Sequence, residues 1–73
     1  MGNTFKPRLD GFPERIKAAR LRANYTQQAL ADAVGVHLQS VVAWEHGKSE
    51  PCLKKLVKIH NILRISYKAL LGE

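Results

Sequence analysis

The side chains capable of acid–base, nucleophilic or metal chemistry are few and widely spaced. The three histidines are His37, His46 and His60, and no cysteine or acidic residue joins them at the spacing of a metal site. The single cysteine, Cys52, has no neighbouring base, and the acidic residues form no pair suited to general acid–base catalysis. A glycine-rich phosphate loop is also absent from the sequence. We therefore expect no metal, no cofactor and no enzymatic activity, and we interpret His60 and Cys52 as structural.

The amide side chains of Gln27 and Gln39 suit a different chemistry, which is hydrogen bonding to a polar surface. Both lie in Gln27–His46, a stretch without lysine or arginine in a chain of net charge +6. All basic residues lie before Ala23 or after Gly47, so the charge is concentrated on both sides of this stretch. A basic chain of this kind suits a nucleic acid, an acidic protein or an anionic membrane surface.

Length and composition limit the architecture that can position these side chains. Seventy-three residues allow one small domain, and one cysteine excludes an intrachain disulfide. The lone cysteine is typical of a reducing compartment, which predicts a cytoplasmic protein. No run approaches the ~20 apolar residues of a membrane span. No apolar stretch follows Lys6 and Arg8, so we expect no signal peptide. Binding to a membrane surface is disfavoured, because no predicted helix combines a dense basic face with a large apolar one.

Apolar residues recur at helical spacing through most of the chain and predict an all-α fold. Residues 1–11 lack this period and are predicted to form a flexible basic arm, whereas residues 12–73 form the domain. Thr26 and Ser66 are suited to begin helices as N-caps, and Asn24 and Gly35 are suited to left-handed positions at helix ends. The predicted helices are Pro13–Ala23, Gln27–Val34, Leu38–His46, Pro51–Leu63 and Tyr67–Leu71, the fourth with a buried row formed by Leu53, Leu56, Ile59 and Leu63.

The second and third predicted helices are joined by a short turn at Gly35. Ala31 is small enough to let one helix cross the other closely, and Val41 and Trp44 are placed to fill the space between them. Two helices joined in this way form a helix-turn-helix, whose second helix fits the major groove of DNA.

Further residues extend this pattern along the chain. They are Thr26-Gln27-Gln28-Ala29-Leu30-Ala31, Val34-Gly35-Val36, Val41, Trp44-Glu45-His46-Gly47-Lys48, Glu50-Pro51, Leu56-Val57-Lys58-Ile59, Ile65-Ser66 and Leu70-Leu71-Gly72. Over Glu14–Gly72 the sequence resembles the phage repressor and Cro-type (Xre-like) helix-turn-helix family. The resemblance implies a compact, lambda-repressor-like bundle of five helices that binds operator DNA, usually as a dimer, and regulates transcription.

The resemblance also implies roles for individual residues. The positions expected to contact DNA bases are His37, Leu38, Gln39, Val42 and Ala43. The positions expected to contact phosphates are Arg15, Thr26, Gln27, Ser40, Lys48 and Lys54. An ion pair between Arg20 and Glu45 is expected to join the first and third helices. The dimer interface is expected to involve Ile65, Tyr67, Leu70 and Leu71, with operator half-sites ~34–36 Å apart.

The third helix departs from the family in carrying leucine, valine and alanine where polar or charged side chains are common. Two explanations remain open. The apolar side chains can contact thymine methyl groups, which is a form of direct readout. Alternatively, they can be covered by protein, since exposed apolar groups mark interaction sites. The second explanation favours a protein-binding adaptor, such as an antitoxin or an anti-repressor partner.

Overall fold

The computed structural model describes residues 11–72, and in this range the chain forms five α-helices without any strand. The all-α prediction is confirmed. The predicted N-terminal arm lies outside the described residues except for Gly11. No helix in this range has the length and apolar content needed to cross a membrane. The helices are α1 (Phe12–Arg22), α2 (Gln27–Val34), α3 (Leu38–Glu45), α4 (Leu53–Leu63) and α5 (Tyr67–Leu71).

The helix ends follow the predicted capping chemistry closely. The Thr26 hydroxyl accepts a hydrogen bond from the Ala29 N–H at 2.9 Å, and the Ser66 hydroxyl accepts one from the Ala69 N–H at 3.1 Å. These bonds satisfy backbone donors that the first turn of a helix leaves without a partner. Asn24 has a φ of 63°, so the predicted left-handed residue after α1 is confirmed.

The start of α4 differs from the prediction. Cys52 is the N-cap with extended backbone, so the helix begins at Leu53 and the buried Pro51 precedes it. Leu53 is 74% exposed, which corrects its assignment to the buried row of α4. Its side chain lies on the first turn of the helix, on a surface shared with Val57 and the lysines of the same helix.

The core is formed by residues of all five helices. α1 packs against α3 and α5, and α2 packs against α3 and α4. Leu70 is completely buried, so its assignment to a dimer interface is wrong: α5 turns this side chain inward. The buried apolar residues are Phe12, Ile16, Ala19, Leu30, Ala31, Val34, Val41, Trp44, Ile59, Leu63 and Leu70.

Candidate nucleic-acid interface

The turn between α2 and α3 sets the angle at which the two helices meet. Gly35 has a φ of 86°, a conformation that glycine adopts without steric cost. The N–H groups of Gly35 and Val36 both donate to the Ala31 carbonyl, at 2.8 and 2.9 Å. Ala31 is itself completely buried, and Val41 and Trp44 of α3 lie in the same core. The sequence reading of this segment as two closely packed helices agrees with the structure.

A buried ion pair ties α1 to the end of α3. Arg20 Nε donates to Glu45 Oε2 at 2.6 Å, and Arg20 Nη2 donates to Glu45 Oε1 at 3.2 Å. The two side chains are only 8% and 3% exposed. Arg20 Nη1 also donates to the Tyr25 carbonyl at 2.8 Å, so the guanidinium holds the connection between α1 and α2 as well. A two-point contact of this kind fixes orientation as well as distance.

Gln27 joins the same network from the first turn of α2. Its Nε2 donates to Glu45 Oε1 at 3.0 Å. The side chain is half-buried, so it is held in place while part of it remains accessible. The first turn of α2 contains no acidic residue. No carboxylate of that turn therefore competes for the free N–H groups and the partial positive charge at the start of α2. This arrangement suits a phosphate.

The outer face of α3 consists of accessible, uncharged side chains. His37 and Gln39 are exposed, and Leu38 is 38% exposed. Val42 and Ala43 are half-buried. Leu38 and Val42 are four residues apart, as are Gln39 and Ala43, so the two pairs form adjacent rows along the helix. The structure thus presents all five residues predicted to contact bases on or beside one accessible helix.

The residues predicted to contact phosphates lie in several places. Thr26, Lys48 and Lys54 are exposed, and Ser40 is half-buried near the start of α3. The guanidinium of Arg15 lies instead against Gly11 and Gly72, where a Cβ on either glycine would overlap it. Arg15 is therefore beside the end of α5, and its phosphate contact stays a prediction.

The acidic side chains near this surface have partners. Asp32 on α2 accepts a hydrogen bond from Gln28 at 2.9 Å. Glu45 accepts from Arg20 and Gln27, as described above. The outer face of α3 therefore exposes no lysine, no arginine and no carboxylate. The side chain of Glu45, the acidic residue of α3, is buried.

The remaining reactive side chains do not form a second site. His60 Nδ1 lies 2.6 Å from the Ile65 carbonyl, and its ring stacks on Tyr67 with centroids 3.9 Å apart. The interpretation of His60 as a satisfied, half-buried side chain is confirmed. Within residues 11–72, no cluster of histidine, cysteine and acidic side chains is placed to hold a metal ion. Cys52 is exposed, and its interpretation as a structural residue stays a prediction.

Among the contacts that the sequence did not predict, two join α2 to other helices. Gln27 and Glu45 are 18 residues apart, and the sequence contains no signal for their hydrogen bond. Lys58 Nζ donates to the Val34 carbonyl at 3.4 Å and so binds the C-terminal end of α2. A lysine at a helix C-terminus is favourable, but only the packing of α4 against α2 places it there.

These features define a helix-turn-helix protein: a short glycine turn, a buried contact between α2 and α3, and an accessible face of α3. The chain belongs to the helix-turn-helix family HTH_3, whose model matches residues 16–70. The expectation that it is not an enzyme agrees with this membership. The chain therefore carries a helix-turn-helix DNA-binding domain of the type found in transcriptional regulators.

Curated relatives share this part of the chain. The chain is 45% identical over 60 residues to YonR, an HTH-type transcriptional regulator derived from the SPbeta prophage of Bacillus subtilis, covering 82% of this chain and 56% of the relative. It is 39% identical over 60 residues to RstR, a transcriptional repressor of the cryptic phage CTXphi in Vibrio cholerae, covering 82% and 54%. It is 40% identical over 53 residues to the regulator DicA of Escherichia coli, covering 73% and 39%.

The chain spans about half the length of the first two of these relatives. No solved structure gives a significant match to it.

Proposed function

We propose that this chain binds double-stranded DNA in a sequence-specific manner and represses transcription as a homodimer on a near-palindromic operator. The observation that carries the proposal is the outer face of α3, which is accessible and has no lysine, arginine or exposed carboxylate. The buried ion pair between Arg20 and Glu45 holds α3 against α1. A rigid, exposed helix of this type enters the major groove and contacts base edges. The names of RstR and DicA support a regulatory role. A cytoplasmic location is part of the proposal, since a regulator of transcription works where the DNA is.

Gln39 is the residue with the clearest role in base recognition. Its exposed amide offers one donor and one acceptor, which match the N7 and N6 groups of adenine. His37 lies at the N-cap of α3, beside the expected path of the bases. Leu38, Val42 and Ala43 add apolar contacts around Gln39. These residues supply specificity, because only the base edges differ from one sequence to another.

Phosphate contacts position α3 in the groove. Gln27 and the N–H groups at the start of α2 are proposed to bind one phosphate, with Thr26, the N-cap of α2, beside them. Ser40, near the start of α3, is proposed to contact a phosphate as well. Lys48, directly after the turn that follows α3, and Lys54, in the first turn of α4, are proposed to bind further phosphates. These contacts give affinity for any duplex and carry no sequence information.

The dimer is proposed to form through the side chains around α5 that remain accessible. Tyr67 is 40% exposed, and Ile65 and Leu71 are half-buried. Two copies related by a two-fold axis place their α3 helices in successive major grooves, with half-sites ~34–36 Å apart. Leu70 takes no part in this interface, since it is buried in the protomer.

Selection of bound sequences from a random duplex pool tests the proposal. We expect an inverted repeat to be enriched. On that operator, Gln39→Ala should relax preference at one base step, whereas Gln27→Ala should weaken binding to every duplex by a similar factor. Gln28→Ala is the matched control, because Gln28 is an exposed glutamine of α2 that bonds only to Asp32 among the described contacts. Equal losses across all sequences for Gln39→Ala and Gln27→Ala would contradict these roles.

The apolar side chains on α3 favour a second candidate, a protein-binding adaptor such as an antitoxin or anti-repressor partner. Leu38 is 38% exposed and lies next to the half-buried Val42. A salt titration of binding to random duplex separates the two functions. DNA binding gives a slope of about −0.9 in log K against log salt for each phosphate neutralised. Absence of duplex binding at low salt would favour the adaptor.

A further inference from the structure

The outer face of α3 lacks the side chains that most often recognise G·C pairs. Guanine is read mainly by arginine or lysine, and neither occurs between Ala23 and Gly47. Arg20 lies close to α3, but its guanidinium is engaged by Glu45 and by the Tyr25 carbonyl and is 8% exposed. Recognition of guanine by a lysine or arginine of α3 is therefore excluded by the sequence, and recognition by Arg20 is excluded by its contacts with Glu45 and Tyr25.

Cytosine recognition is limited for a related reason. The N4 amino group of cytosine is read by an acidic side chain. Glu45, the acidic residue of α3, is 3% exposed and accepts hydrogen bonds from Arg20 and Gln27. Asp32 lies on α2 and accepts a hydrogen bond from Gln28. The outer face of α3 thus offers no carboxylate to a base.

The side chains that do occupy this face match A·T pairs. We propose that the base pairs contacted by α3 in each half-site are predominantly A·T, with Gln39 on adenine and Leu38, Val42 and Ala43 on thymine methyl groups. This inference rests on the proposed DNA-binding function. The spacing supports it, because Leu38 with Val42 and Gln39 with Ala43 form two adjacent rows, so an amide and apolar groups face neighbouring base steps. His37, at the N-cap, and the half-buried Ser40 are further polar side chains beside this set.

The contact with thymine methyl groups can be tested without changing the protein. Deoxyuridine in place of thymidine keeps every hydrogen-bonding group of the base pair and removes only the methyl group. From the transfer free energy of one carbon group, removal of a contacted methyl should weaken binding about fourfold. Positions outside the contacts of α3 should show no change.

The experiment begins with the operator enriched from a random duplex pool, followed by deoxyuridine substitution one position at a time. Binding is measured for the unmodified chain, for Leu38→Ala and for the control Leu53→Ala, which removes an exposed leucine of α4. We expect one or more sensitive positions in each half-site. One of these should lose its sensitivity in Leu38→Ala and keep it in Leu53→Ala.

This experiment distinguishes failure of the A·T preference from failure of DNA binding itself. Two outcomes contradict the A·T inference and leave the DNA-binding function intact. In one, the central positions of each half-site are G·C. In the other, every deoxyuridine changes binding less than twofold. Enrichment of no sequence at all contradicts the proposed function, and the inference falls with it.

Discussion

Replacement of Arg20 with methionine should strongly destabilise the protein, although it keeps most of the side-chain volume. The change leaves the Glu45 carboxylate, which is 3% exposed, with only the Gln27 amide among its described partners. Removing one member of a buried ion pair costs about 3–5 kcal/mol. A domain of this size has a total stability of roughly 4–11 kcal/mol. At about 4–8 °C per kcal/mol, the melting temperature should fall by roughly 12–40 °C.

A double replacement tests whether this loss comes from the buried charge. In Arg20→Met with Glu45→Leu, no carboxylate is left without its partner, and such apolar replacements are often close to neutral. The Tyr25 carbonyl and the Gln27 amide still lose a hydrogen bond each, at about 1 kcal/mol apiece. The double variant should therefore be about 2 kcal/mol less stable than the unmodified chain and more stable than Arg20→Met.

Urea denaturation followed by far-UV circular dichroism measures these differences, because the midpoint shifts while the slope stays constant if only stability changes. The reasoning is refuted if the double variant is as unstable as the sum of the two single variants. It is also refuted if Arg20→Met alone costs less than about 1 kcal/mol, the value typical of a solvent-exposed pair.

Other predictions concern the helix ends, the charge and the dimer. Arg64→Gly should raise stability by about 0.5–1 kcal/mol, because Arg64 has a φ of 54°, and a lower melting temperature would contradict this. Thr26→Ala should cost about 1 kcal/mol in urea denaturation, whereas Thr26→Ser should cost little. Lys48→Ala should reduce the salt slope of DNA binding by about 0.9 without changing the selected sequence. Leu71→Asp should weaken dimerisation in sedimentation measurements and should cost less stability than Leu70→Asp, because Leu71 is half-buried against the core whereas Leu70 is completely buried.

The local features of this fold could be predicted because short-range chemistry determines them. The N-caps Thr26 and Ser66 and the left-handed Gly35 each depend on the residue type and its immediate neighbours. The apolar spacing in α2 and α3 was sufficient to predict a helix-turn-helix. The face of α3 that turns outward followed from the same period, because Val41 and Trp44 had to point inward.

Other features depend on how the helices dock and could not be predicted from spacing. Leu70 and Leu71 are adjacent and chemically alike, and only the packing of α5 against α1 decides which of them is buried. Leu53 fits the period of the buried row in α4, but its side chain remains mostly exposed. The hydrogen bond from Gln27 to Glu45 exists because α2 and α3 meet at the angle set by Gly35.

The apolar character of the α3 surface has a thermal consequence. Burial of apolar groups near room temperature is driven by entropy, carries a negative heat-capacity change and weakens on cooling. Ionic contacts to phosphates, which release counterions, bury little apolar surface and so carry little of this heat-capacity change. If Leu38, Val42 and Ala43 supply much of the sequence discrimination, the ratio of operator affinity to random-duplex affinity falls as the temperature is lowered. In a cold cell the protein would then still bind DNA but would distinguish its operator less well from other sequences.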